Sequence, residues 1–118
     1  MKFYANYVST SASGDYYQAL FEEEKESAQP DSSYLLIQRQ FEIPDNGKCY
    51  IETHDGGYIG HFRLAHIDFK TYGIYIELDR PDHRNIHVEF SLPTIEFEKA
   101  LPVLNILSGE VDCKVLGC

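Results

Sequence analysis

SYLLIQRQF, Ser33 to Phe41, is the stretch on which the reading of this chain turns. It has neither Gly nor Pro, and Leu35, Leu36 and Ile37 form the densest apolar run in the first half. Pro30 and Pro44 bracket it too closely for a helix of ordinary length, because the residue before a proline is steered towards extended backbone. The stretch reads as a strand near the middle of a sheet. Just beyond it, Pro44-Asp45-Asn46-Gly47 is a turn: Pro presets φ, and Asn-Gly supplies the positive-φ positions. Lys48–His54 (KCYIETH) is then the returning strand of a β-hairpin.

On the N-terminal side, Glu22–Ser33 (EEEKESAQPDSS) is polar and Ser-rich, and reads as a solvated loop. Residues 15–31 hold Asp15, Glu22, Glu23, Glu24, Glu26 and Asp31 against Lys25 alone, so this segment supplies −5 of the net charge of −9. Tyr16–Glu22 fits a strand with Tyr17, Ala19 and Phe21 on one side. It also fits a short helix capped by Asp15. Gly14 and the flanking aromatics favour the strand. Ser11–Asp15 reads as the preceding turn, and Lys2–Ser9 as one strand.

On the C-terminal side, Asp55-Gly56-Gly57 is a turn, and Tyr58–Phe69 reads as a long strand bent at Gly60. Leu64–Phe69 and Tyr72–Leu78 form a hairpin around Lys70-Thr71. Arg80–Asn85 is a turn, and Ile86–Phe90 alternates as a strand. The period then changes. Phe97, Ala100, Leu101, Leu104 and Leu107 recur at helical spacing after Pro93-Thr94, with Glu96 and Glu98 suited to the N-terminal dipole. Pro102 predicts a kink or two shorter pieces, Gly109 a stop, and Glu110–Cys118 a tail that suits an edge strand. The expected fold is α+β: one domain over 1–118, with a single antiparallel sheet of six or seven strands built as a meander of hairpins and one C-terminal helix packed on one face.

Composition narrows the function. The chain has no apolar run long enough to span a bilayer, and its N-terminus (MKFYANYVSTSASG) lacks the apolar core of a secretory signal, so the expected location is the cytoplasm. Cys49, Cys113 and Cys118 are odd in number and loosely spaced, which reads as free thiols and not a disulfide or zinc framework. A net charge of −9 opposes nucleic-acid binding and matches a basic partner; the same charge also serves plain solubility. His54, His61 and His66 cluster near Asp55 and Asp68, but no spacing matches a known zinc motif, and no cofactor is expected. Cys49 and His54 fall on opposite strand faces, and no G-x-S-x-G or phosphate-cradling glycine pattern occurs. Nine tyrosines are more than a core of this size buries; beside the acid loop they point to a contact surface, while strands also favour Tyr without any such role.

From Tyr34 onward the chain resembles the immunity protein 10 family of bacterial polymorphic-toxin systems. The resemblance is carried by YLLIQRQFE (Tyr34–Glu42), CYIETHDGGYIG (Cys49–Gly60), LAHIDFKTYGIYIEL (Leu64–Leu78) and IHVEFSLPTIEFEKALPVL (Ile86–Leu104), in that order. Pro102 and the cysteine-bearing tail depart from the family pattern. The resemblance implies a non-catalytic antidote that binds and occludes a cognate protein toxin. Charge density then nominates the partner-binding residues as Glu22, Glu23, Glu24, Glu26, Asp31, Asp55, Asp79 and Asp82. The alternative is a small metal- or ligand-binding domain or enzyme using the His54–His66 region. An edge strand also offers a route to a homodimer.

Overall fold

The structure, a computed structural model, describes residues 1–24, 32–40 and 48–108. Tyr34–Gln40 is a strand, β4, and it lies at the centre of a five-stranded sheet. Its neighbours are Tyr16–Glu22 (β3) and Cys49–Thr53 (β5), with Tyr7–Ser13 (β2) and Gly60–Phe62 (β6) at the edges. All four pairings are antiparallel, so the β4–β5 hairpin is present; its turn lies outside the described residues. The register places Phe21 opposite Leu35, Ala19 opposite Ile37, and Ile37 opposite Ile51. These residues share one face, and each is fully buried.

What covers that face differs from the sequence expectation. There are two sheets, not one: Leu64–Lys70 (β7), Gly73–Leu78 (β8) and Asn85–Glu89 (β9) form a second sheet with Lys2–Tyr4 (β1), in the order β1-β9-β8-β7. β1 joins parallel to β9, so the fold is not antiparallel throughout. The expected Lys2–Ser9 strand breaks after Tyr4, and its halves enter different sheets: Ala5 N donates to Glu89 O, whereas Asn6 N donates to Glu22 O. The expected Tyr58–Phe69 strand likewise divides between sheets at Arg63, with a short 3-10 turn over Gly56–Tyr58. Gly60 does adopt φ +148°, but the crossing falls three residues later. The Ser11–Asp15 turn shrinks, since β2 runs through Ser13.

The physical reason for two sheets is the amount of apolar surface. Ile67, Phe69, Ile74, Ile76, Ile86 and Val88 form a second buried face, which one helix does not cover. Facing Leu and Ile side chains bury each other at roughly 1.5–3 kcal/mol apiece. The residues Thr94–Ser108 form one helix, α1, which adds Phe97, Ala100, Leu104 and Leu107 to the same core. Phe97 N donates to Pro93 O at 3.0 Å, closing its first turn. The helix runs through Pro102 as one element. Pro102 and Glu98 are both exposed, so the carbonyl that the proline leaves without a donor faces solvent. Gly109 and the Glu110–Cys118 tail lie outside the described residues, and so do Cys113 and Cys118.

Aromatic contacts tie the three parts together. Phe21 of the five-stranded sheet stacks on Phe90, with centroids 5.6 Å apart. Phe90 meets Phe69 at 6.0 Å, and Phe69 stacks on Phe97 of α1 at 4.8 Å. Phe69→Ala should therefore cost about 3–5 kcal/mol in urea unfolding, the loss of a fully buried aromatic ring plus the cavity it leaves. Ile95→Ala, at a side chain 64% exposed, should change stability by less than about 0.5 kcal/mol. Similar effects of the two substitutions would contradict this core.

Candidate partner-binding surface

With the inner faces filled, the chemistry available to a partner lies on the outer ones. Strand alternation turns Tyr16, Gln18, Leu20 and Glu22 of β3 outward, opposite Gln40, Gln38, Leu36 and Tyr34 of β4. Glu52 and Tyr50 of β5 follow opposite Leu36 and Gln38, and His61 of β6 lies opposite Tyr50. Within these five strands no Lys or Arg occupies an outward position. The outer residues of β3 and β4 are half-buried apart from exposed Gln40, each shielded by its neighbours while the face stays open.

This face is held in place by hydrogen bonds. Tyr34 Oη donates to one Glu52 carboxylate oxygen at 2.9 Å, and Tyr50 Oη donates to the other at 2.8 Å. Beside them, Gln18 Oε1 accepts from Tyr16 Oη at 2.7 Å and from Gln38 Nε2 at 2.9 Å. Burial and the Glu52 carboxylate push the Tyr34 phenol up to about 12. The hydrogen bond to Glu52 pushes Tyr50 the same way. Two phenols thus hold one carboxylate in a fixed position, and no cation among the described residues pairs with it. A face that is aromatic and apolar at its centre, preorganised, and short of Lys has the composition of a protein-contact surface.

Of the predicted acids, Glu22, Glu23, Glu24 and Asp55 stand at one end of this face. Glu22 closes β3 opposite Tyr34, and Leu35 pairs with Thr53, so Glu22–Glu24 and Asp55 share the end of the sheet where β3 and β5 finish. Glu23 accepts from Ser33 N at 3.2 Å, and Glu24 is exposed. Asp55 caps the Gly56–Tyr58 turn by accepting from Gly57 N at 3.0 Å. The Asp79–His83 segment packs on that turn: Arg80 Nη1 donates to Gly57 O at 3.2 Å, and the His83 ring meets Tyr58 edge-on at 5.5 Å. A Cβ at Gly57 would lie 2.6 Å from the His83 ring, so any larger residue there would push this exposed side chain aside. Asp79 and Asp82 are exposed beside this contact. Glu26 and Asp31 lie outside the described residues.

The histidines do not converge. Tyr34 N donates to His54 Nδ1 at 3.2 Å, and His61 packs on Tyr50 at 5.2 Å. His66 belongs to the other sheet, where it meets Asp68 at 2.9 Å. Among the described residues no three His, Cys, Asp or Glu side chains are placed to hold a metal ion. Cys49 is buried, whereas His54 is exposed. Among the described residues no helix is long and apolar enough to cross a membrane. Charge density alone missed the Tyr34–Glu52–Tyr50 clamp. Its signal was the i, i+2 pairing of Tyr50 with Glu52 and of Tyr16 with Gln18, which places each pair on one strand face. Comparison with known protein families, characterised proteins and solved structures gives no match.

The clamp sets a pH dependence. Tyr34 holds its proton more tightly in the folded chain than in the unfolded one. Its contribution to stability is therefore complete below about 10 and lost as pH rises through about 12. Glu52→Gln removes the charge while keeping an acceptor. In an ultraviolet phenolate titration it should move ionisation of Tyr34 and Tyr50 to lower pH; an unchanged curve would mean that Glu52 is not their partner.

Proposed function

We propose that this protein is a non-catalytic immunity protein, acting in the bacterial cytoplasm, that binds a cognate toxin domain and neutralises it by covering its working surface. The reading joins the motif resemblance from Tyr34 onward to one structural observation. The outer face around Tyr34, Leu36, Tyr50 and Glu52 is open, aromatic and ordered, and it is bordered at one end by Glu22–Glu24 and Asp55. In this reading the aromatic centre supplies short-range contact. The acid border and the net charge of −9 draw in a basic partner and oppose a polyanionic one.

The test uses the toxin domain that this reading expects to be encoded beside this chain. Co-expression should rescue host growth, and the purified pair should form a salt-sensitive complex. Charge reversal at Glu22, Glu23 and Glu24 to Lys should slow association by roughly 10-fold or more at low salt and flatten its salt dependence. Tyr50→Ala should act instead on dissociation and cost about 2 kcal/mol or more. No binding and no rescue by the unaltered protein would overturn the reading. Normal association by the triple variant would remove the acid border from the site.

A second reading, binding of a small ligand, has its own observation on the other sheet. A cleft of about 120 Å³ there is lined by Asp68, Lys70, Tyr72, Gly73, Tyr75 and His87. One Asp68 carboxylate oxygen meets His66; the other is enclosed and accepts no hydrogen bond. A Cβ at Gly73 would come within 3.1 Å of Val88 O, so the glycine keeps the sheet surface low at this point. This reading retains His66 from the sequence-based alternative and leaves out His54 and His61.

A further inference from the structure

The sheet edges differ in how they are protected against accepting another strand. β1 is three residues long and carries Lys2, whose ammonium pairs with Glu89 at 2.9 Å. β6 is also three residues long. β7 bears His66, Asp68 and Lys70 and has a register shift between Leu64 and His66. Short length, charge and bulges are the usual means by which an edge refuses a partner. β2 has none of them. Its seven residues, YVSTSAS, contain no charge and no proline, and all seven pair with β3 in unbroken register. On the side away from β3, its backbone groups have no strand partner among the described residues.

A cleft runs beside this same edge. It has a volume of about 390 Å³ and lies between Val8, Ser9 and Thr10 of β2 and Leu92, Glu96, Lys99 and Ala100 of the α1 region. Val8, Thr10, Leu92 and Ala100 give it small or apolar walls, and the exposed Glu96–Lys99 pair, 3.9 Å apart, stands at its rim. A strand laid along β2 would hydrogen-bond to the open edge through its main chain. Every second side chain would enter the cleft, which suits β-branched residues.

We infer that the β2 edge and the β2–α1 cleft form a docking site for an extended strand of a partner polypeptide, added as a sixth strand to the five-stranded sheet. The edge itself is uncharged and the chain carries −9, so the matching strand is neutral or basic with β-branched residues at alternate positions. This site is separate from the Tyr34–Glu52–Tyr50 face and does not rest on the toxin reading.

The test titrates the full-length, isotope-labelled protein with a set of capped heptapeptides of alternating valine and threonine, lysine at both ends. Amide shifts should be confined to Tyr7–Ser13 and to Leu92–Ala100. Hydrogen exchange of the β2 amides should slow about tenfold when free peptide reaches ten times its Kd. Ser9→Lys with Ser11→Lys places the missing guard charges at two exposed positions and should abolish both effects at unchanged Tm. The exchange measurement on the unaltered protein stands without that variant. No β2 response to any of the peptides at millimolar concentration would overturn the inference. So would β2 protection that appears with a doubling of mass as protein concentration rises, which assigns the edge to a second copy. Protection already present in the dilute monomer and lost on truncation after Ser108 would overturn it in favour of the C-terminal tail.

Discussion

The line of rings Phe21–Phe90–Phe69–Phe97 is the contact on which the rest of the molecule depends. It joins the five-stranded sheet, the end of β9, the strand β7 and the helix through one set of dispersion contacts. Each ring brings a large apolar area, and its value depends on the others staying close. Loosening one contact exposes surface on elements far apart in sequence. Two sheets and a helix therefore share one core, which includes residues from Ala5 to Leu107.

That shared core decides where chemistry is available. Once the inner faces are consumed by packing, the polar and aromatic side chains at alternate positions turn to the outside. On the five-stranded sheet this collects tyrosines, glutamines, two leucines and Glu52 without a single outward Lys or Arg in the strands. The four-stranded sheet has a different outer face, crossed by the Lys2–Glu89, His66–Asp68 and Arg84–Glu77 pairs. Those pairs leave this face with less free charge for a protein partner, apart from the Asp68 oxygen that accepts no hydrogen bond. A face that holds a carboxylate between two phenols, with no cation among the described residues to balance it, retains electrostatic capacity for a partner to complete.

The acid border adds reach rather than contact. Exposed carboxylates at Glu24 and Asp55 act through a field that extends roughly 8–10 Å at physiological salt. In the proposed reading they bias which molecules approach, and the fit of the aromatic face governs how long one stays. β2 differs again: the proposed docking there draws on a backbone edge without a strand partner among the described residues and on an adjoining cleft. Recognition by main-chain hydrogen bonds reads shape and extension more than side-chain identity.

The strand at Tyr34–Gln40, its hairpin with Cys49–Thr53, the strand at Tyr16–Glu22 and the helix after Pro93 were all legible in the sequence. Alternation, turn residues and the change from a period of two to one near 3.6 are local properties, and each element obeys them. The acid-rich segment was legible too, because charge is additive along a chain. The number of sheets was not. Lys2–Tyr4 and Tyr7–Ser13 read as one strand, and so do Gly60–Phe62 and Leu64–Lys70, because a crossing between sheets takes only one or two residues and leaves the alternation intact. Nor does the sequence pair Tyr34 with Glu52, or set β2 beside Ala100, since both depend on register and packing between distant segments. The chain by itself determined which residues are strand, helix and acid. Tertiary structure decided which faces are spent on the core, and so which remain for a partner, because burial is a property of the assembled layers and not of any one segment.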